Sequence, residues 1–191
     1  MSSKRIGLRA VSFFFAVVLG CSAAFAAGLP TYGRVAPFEL VNRDGRKISA
    51  STLRGKIWIA DFIYTRCTDT CPLLTHKMFA LSHKLSSPVQ IVSFTVDPSH
   101  DTPAVLDAYA KRFGVAPGRW YFLTGGEKAL AQVFRKSFML AVAKQKDGTV
   151  AHTTKFALID AAGNIRGYYD GDSDASLAKL ARDAAGLAKR G

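Results

Sequence analysis

The segment Lys56 to Tyr64 does most to limit what this chain can fold into. It is a mostly apolar run of β-branched and aromatic residues, which suits a strand at the centre of a sheet covered on both faces. From Pro72 the period changes. Leu74, Met78, Leu81 and Leu85 fall at helical spacing, and Pro72 fits the first turn, where its missing amide proton would have had no partner. A second apolar run, Gln90 to Val96, closes at Asp97-Pro98, and Thr102-Pro103 opens another helix with Leu106, Tyr109 and Phe113 on one face.

The rest of the pattern extends this alternation. Trp120 to Leu123 reads as a short strand leading through Gly125-Gly126 to a helix around Glu127 to Phe138. Lys155 to Ile159 and Ile165 to Tyr169 flank a turn at Ala162-Gly163-Asn164 and predict an antiparallel pair. Leu177, Leu180, Ala184 and Leu187 mark a final amphipathic helix. Near the start, Phe38 to Val41 and Lys47 to Ser49 flank Asp44-Gly45, whose positive φ values suit a hairpin turn. Two βα units, a β-hairpin and a helix form the thioredoxin layout. The expectation is an α/β fold with a central mixed sheet flanked by helices, an N-terminal hairpin and an insertion between the halves.

The first residues are of another kind. Lys4, Arg5 and Arg9 precede an apolar stretch from Ala10 to Leu19, and Gly20, Ser22, Ala23 and Ala24 follow, the pattern of an export signal. Ala24-Phe25-Ala26 offers a cleavage site. Val18-Leu19-Gly20-Cys21 resembles a bacterial lipobox in which Cys21 becomes a lipidated first residue, and Ala10 to Ala27 is also near the length of an uncleaved anchor. Each reading puts the folded part outside the cytoplasm, in the bacterial periplasm or at the outer face of the membrane. The organisation read here is a signal over 1–26, a tether over 27–35 and one domain over 36–191, with no internal repeat.

About 165 residues remain after export, enough for a sizeable core without disulfide staples. Removing the three basic residues of the leader lowers the formal charge from +12 to +9. A nucleic-acid partner is not expected outside the cytoplasm, and no helix-turn-helix or aromatic-interleaved basic motif occurs. The charge suits solubility, an anionic membrane or an acidic docking partner.

With Cys21 in the leader, Cys67 and Cys71 are the only thiols of the domain. A bridge between them would close a very short loop and constrain the unfolded chain little, so the pair is assigned to chemistry before stability. Cys67 leaves a central strand and Cys71 starts a helix, where unpaired amides and the helix dipole favour thiolate and so soft metal. Side chains four apart share a helical face, which permits chelation of one ion or closure of a disulfide. A structural disulfide stays open on spacing alone. His152, in Val150-Ala151-His152-Thr153-Thr154-Lys155-Phe156, is expected on a loop at the cysteine end of the sheet, and thiolate plus imidazole is a set that copper(I) prefers. His76 is the one auxiliary candidate. His83 reads as a solvated residue and His100 as part of a turn before a helix capped by Asp101 or Thr102.

Together these segments resemble the Sco/SenC family of copper-binding respiratory assembly proteins. The similarity runs through Asp61-Phe62-Ile63-Tyr64-Thr65-Arg66-Cys67, Cys71-Pro72, Val92-Ser93-Phe94-Thr95-Val96-Asp97-Pro98, Asp101-Thr102-Pro103, and His152 ahead of Phe156-Ala157-Leu158-Ile159-Asp160. The resemblance implies a thioredoxin-like fold, with Cys67, Cys71 and His152 as ligands of one copper ion. It also implies maturation of copper centres, chiefly the binuclear copper site of cytochrome c oxidase, so that oxidase subunit II or another copper chaperone is the expected client. The chain departs from the family pattern at Ala161-Ala162-Gly163-Asn164, where a proline-glycine turn is common.

The competing chemistry is that of a thiol-disulfide oxidoreductase, with Cys67 attacking and Cys71 resolving. Asp61, six residues before Cys67, resembles the proton-relay acid beneath a thioredoxin cysteine pair; the alternative is a strand residue held by hydrogen bonds. Against this reading, the spacing is not C-x-x-C, and no proline follows Pro117 to supply the cis-proline that thioredoxins set against their cysteines. The P-x-x-x-T-x-x-C context of a peroxiredoxin is absent.

Overall fold

A computed structural model describes residues 28–68, 70–85, 89–139, 143–144, 150–151 and 153–189. The strands are β1 (Gly33–Arg34), β2 (Glu39–Asn42), β3 (Lys47–Ser49), β4 (Trp58–Ile63), β5 (Gln90–Thr95), β6 (Trp120–Thr124), β7 (Ala143–Lys144), β8 (Val150–Ala151), β9 (Lys155–Ile159) and β10 (Asn164–Asp170). The helices are α1 (Thr70–Ser82), α2 (Pro103–Arg112), α3 (Glu127–Val133) and α4 (Asp174–Ala188). Eight strands form one mixed sheet in the order β1-β10-β9-β4-β5-β6-β2-β3, and β7 and β8 pair separately. β4, β5 and β6 run parallel, while β9 pairs antiparallel with β4. This is the expected α/β arrangement, with β6 and α3 inserted between the halves.

All six residues of β4 are buried, as the apolar run requires. Its period of two divides them between two cores. Ile59 and Ile63 pack with Leu74, Met78, Leu106, Tyr109, Leu177 and Leu180, so α1, α2 and α4 cover one face. Trp58, Ala60 and Phe62 pack with Leu40, Ile48, Leu130, Phe134 and Phe138, so the hairpin and α3 cover the other. Gly45, at φ 81°, makes the hairpin turn that Asp44-Gly45 predicts. Thr102 caps α2 by accepting from the Val105 amide at 3.3 Å, leaving Asp101 for another task.

The helix expected through Phe138 changes character. α3 ends at Val133, and Phe134–Phe138 continue as one π-helical turn ending at Met139 with φ 52°. The wider turn sets both rings on Phe62, with centroids 5.6 Å away for Phe134 and 5.1 Å for Phe138.

Residues 29–35, within the segment expected as a tether, lie along β10. Gly33 pairs with Ile165, and the amides of Tyr32 and Val35 donate to the carbonyls of Ile165 and Gly163, each at 2.9 Å. The Arg166 guanidinium donates to the carbonyls of Leu29 and Pro30 and to Asp160. Among the described residues, no helix is long and apolar enough to cross a membrane.

Candidate metal centre

β4 ends at Ile63, and the chain turns through Tyr64, Thr65 and Arg66 to Cys67, whose amide donates to the Tyr64 carbonyl at 3.3 Å. α1 begins three residues later. The Cys71 amide donates to Sγ of Cys67 at 3.3 Å, so the first turn of the helix is wrapped against that sulfur, and both residues are in the dithiol form. Cys67 is half-buried and Cys71 is only 1 % exposed. The cause of the difference lies in the sequence. Cys71 precedes Leu74, Thr75 and Met78 at spacings of three, four and seven, so it begins the stripe that α1 buries.

That burial runs against the expectation that the helix end favours thiolate, as far as Cys71 is concerned. Burial pushes the Cys71 thiol far above its ordinary range, only partly opposed by the Tyr64 backbone, and the nearby Cys67 and Asp61 add to the rise. The helix-end amide is aimed at the other sulfur, that of Cys67.

The floor beneath the pair resists charge. Asp61 lies in β4 on the face shared with Ile59 and Ile63, is 2 % exposed, and neither carboxyl oxygen has a hydrogen-bond partner of normal geometry. Burial pushes its carboxyl up to about 7, with the neighbouring Ser93 hydroxyl offering partial relief. The strand residue held by hydrogen bonds is therefore not what is found. Tyr109 is also buried, and its hydroxyl lies 2.8 Å from that of Thr75. Burial raises it, and charge on Cys71, Asp61 or Cys67 would raise it further.

Two other carboxylates hold the rim. Asp97 and Asp101 are both fully buried. Asp101 accepts from the amide and hydroxyl of Thr65 and from the hydroxyl of Thr95. Asp97 accepts from the Nε and a terminal nitrogen of Arg66, at 3.1 and 2.5 Å, and from the Ser99 hydroxyl. Both residues before Cys67 that could swing the loop are thus pinned to the end of β5. Sequence reasoning gave these acids no role at the site. The available signal was two acidic residues just after a buried strand, close to where the neighbouring parallel strand ends.

His152 lies outside the described residues. Thr154, two residues further on, accepts from the Gly171 amide at 3.0 Å. A Cβ built on Gly171 would sit 2.7 Å from the Thr154 oxygen and 2.8 Å from Cδ2 of Leu74, so the chain entering β9 and the first half of α1 meet at one glycine. His76, His83 and His100 are exposed. Among the described residues no three His, Cys, Asp or Glu side chains converge as a metal site. The described donors are therefore the two sulfurs, a soft pair on a dry floor with one sulfur open to solvent, and they fit a soft ion in low coordination.

The sequence profile of the SCO1/SenC family matches residues 29–188. The SCO1 protein homolog of Bacillus subtilis (strain 168) is 35% identical over 147 residues, covering 74% of this chain and 76% of its own. The solved structure of BsSco, described as having a disulfide switch and as a member of the Sco family of cytochrome c oxidase assembly proteins, superposes with a TM-score of 0.77. It is 31% identical, covering 84% of this chain and 97% of its own. Arabidopsis thaliana ScoI, solved with copper bound, superposes with a TM-score of 0.72 at 26% identity, covering 83% of this chain and all of its own. The thioredoxin-like layout expected from element order is the fold these proteins share.

Proposed function

The chain belongs to the SCO1/SenC family, and from that premise we propose that it is an exported copper metallochaperone. In this reading it holds one copper ion per domain on Cys67, Cys71 and His152 and passes it toward the binuclear copper site of cytochrome c oxidase. The observation that carries this reading is the 3.3 Å approach of the Cys71 amide to the Cys67 sulfur, which puts two soft donors at one helix start. The copper-bound plant relative and the assembly role stated for BsSco support it.

The residues divide the work. Cys67 meets incoming copper(I) as the accessible sulfur. Cys71, buried and protonated, gives up a proton as the ion binds, so affinity rises with pH. The imidazole of His152 completes a low-coordinate set that leaves room for ligand exchange with a client. Closure of the Cys67–Cys71 disulfide removes two protons and two electrons from the pair and both sulfur ligands with them. A client disulfide that takes those electrons becomes a dithiol ready for metal, while the donor is left as a disulfide without its sulfur ligands, so loading then falls to another, still reduced, copper-holding copy of the chain.

Copper(I) titrated into the reduced protein against a calibrated chelator tests the reading. One equivalent is expected to bind, affinity is expected to rise with pH, and oxidation to the disulfide is expected to abolish binding. A His152→Ala variant with unchanged affinity and spectrum removes that ligand. Placement outside the cytoplasm, with attachment through a lipidated Cys21 or release after Ala26, is read from the leader, and mass spectrometry of the mature N-terminus distinguishes the two.

A further inference from the structure

At the end of the sheet away from the cysteines, three segments meet around a surface cleft of ≈ 330 Å³, open solvent included, with Arg34 and Arg54 on its walls and Trp58, Leu53 and Val35 beneath. Trp58 opens β4 and Cys67 follows its far end, so the length of the strand, roughly 20 Å, separates the cleft from the metal centre.

The cleft is held open by the backbone. The Gly55 amide donates to the Ala161 carbonyl and the Val35 amide to the Gly163 carbonyl, each at 2.9 Å. The loop carrying Arg54 and the segment carrying Arg34 are therefore both tied to the β9–β10 turn. Among the described residues the two charges are uncompensated. Arg34 and Arg54 are exposed and form no ion pair among the described residues. The acid at the turn, Asp160, is already engaged by the amides of Ala162 and Asn164, the Asn164 side chain and Arg166. Two guanidinium groups on a fixed frame, with an apolar floor and no competing carboxylate, match an oxyanion that carries an apolar body.

We propose that this cleft is an anion subsite that takes the phosphate of an anionic lipid headgroup. The position of the leader favours a lipid. Residues 10–27 are the apolar stretch of the chain, and the described chain begins at Gly28 and runs along β10 straight into Arg34. A membrane reached by the leader is close to this end of the sheet, and two unpaired arginines gain most at a negatively charged surface. Occupancy here turns the cysteine end away from the bilayer.

The test is amide hydrogen exchange on the full-length chain, alone, with phosphatidylcholine vesicles, with vesicles containing phosphatidylglycerol, and with inorganic phosphate and no vesicles. Anionic vesicles are expected to slow exchange several-fold over residues 50–56 and 161–163 relative to phosphatidylcholine. The Arg34→Gln/Arg54→Gln variant is expected to lose that protection while keeping its unfolding midpoint and copper stoichiometry. Equal exchange with both vesicle types, or protection that survives in the variant, overturns the proposal. The same protection from inorganic phosphate alone overturns the lipid assignment in favour of a free anion.

Discussion

Asp101 grips Thr65 twice, through the backbone amide at 3.2 Å and the hydroxyl at 2.6 Å, and so fixes the loop two residues before the first cysteine. The same carboxylate takes the Thr95 hydroxyl at 2.5 Å. Asp101→Asn turns an amide N–H toward donors and leaves at least one of these contacts mismatched. The expected loss is about 2–3 kcal/mol in urea unfolding, with copper(I) affinity weakened roughly 10–100-fold as the sulfur it positions drifts. Full copper affinity in a destabilised variant would confine Asp101 to a role in the fold.

Asp61 makes stability depend on pH in a defined direction. Its folded pKa, about 7, lies above its ordinary 3.8. Below about pH 4 the group is neutral in both states and its ionisation contributes no pH dependence. Between pH 4 and 7 the folded protein keeps a proton that the unfolded chain sheds, so stability falls as pH rises and the loss is complete above pH 7. The shift corresponds to something on the order of 4 kcal/mol. Asp61→Asn is expected to flatten this slope and to be the more stable protein at pH 8 but not at pH 4, as read by denaturant titrations of the reduced, metal-free chain. Parallel pH profiles for the two proteins would contradict this.

A methyl group on Gly171 has nowhere to go, with a backbone oxygen of Thr154 at 2.7 Å and Leu74 and Phe156 within 3 Å. Gly171→Ala is expected to push the start of β9 away from α1 at a cost of about 1–3 kcal/mol. It should also weaken copper binding although no ligand is changed, because it widens the gap between the cysteine helix and the chain that carries His152. Calorimetric titration of the variant, compared with an equally destabilised core variant such as Leu180→Ala, isolates the second effect.

The Arg166 guanidinium, mostly buried, spans the carbonyls of Leu29 and Pro30 and the carboxylate of Asp160. Arg166→Ala should free residues 29–35 from β10 and lower stability by about 1–3 kcal/mol. Limited proteolysis is the direct check. New cleavage within 29–35 is expected in the variant and absent from the parent, and an unchanged fragment pattern would mean that the pairing of Gly33 with Ile165 suffices by itself.

Elements with strong periodicity were legible in the sequence. Gln90–Thr95 and Lys155–Ile159 form strands as expected, and Thr102 caps the helix that follows it. The cysteine pair at the strand-to-helix junction was legible too, because a buried strand and a proline at the helix start fix where Cys67 and Cys71 fall. What escaped depends on distant partners. Residues 29–35 have no strand pattern of their own and are ordered by Arg166 and by the open edge of β10. The π-helical turn at Phe134–Phe138 answers to Phe62 and Phe94, not to local propensity. β7 and β8, two residues each, are too short to show a period. The inward turn of Asp101 follows from the two threonines it meets, Thr65 and Thr95, which no local rule links to it.

On the proposed copper chemistry, the unequal depth of the two sulfurs would give handover a sequence in time. An approaching nucleophile would meet Cys67 while Cys71 is still roofed by its own helix, so the outer bond would exchange first and the inner one would hold the ion until a second donor had engaged. Cargo would then leave stepwise, never unligated, and the deeper cysteine would set how long the protein keeps it.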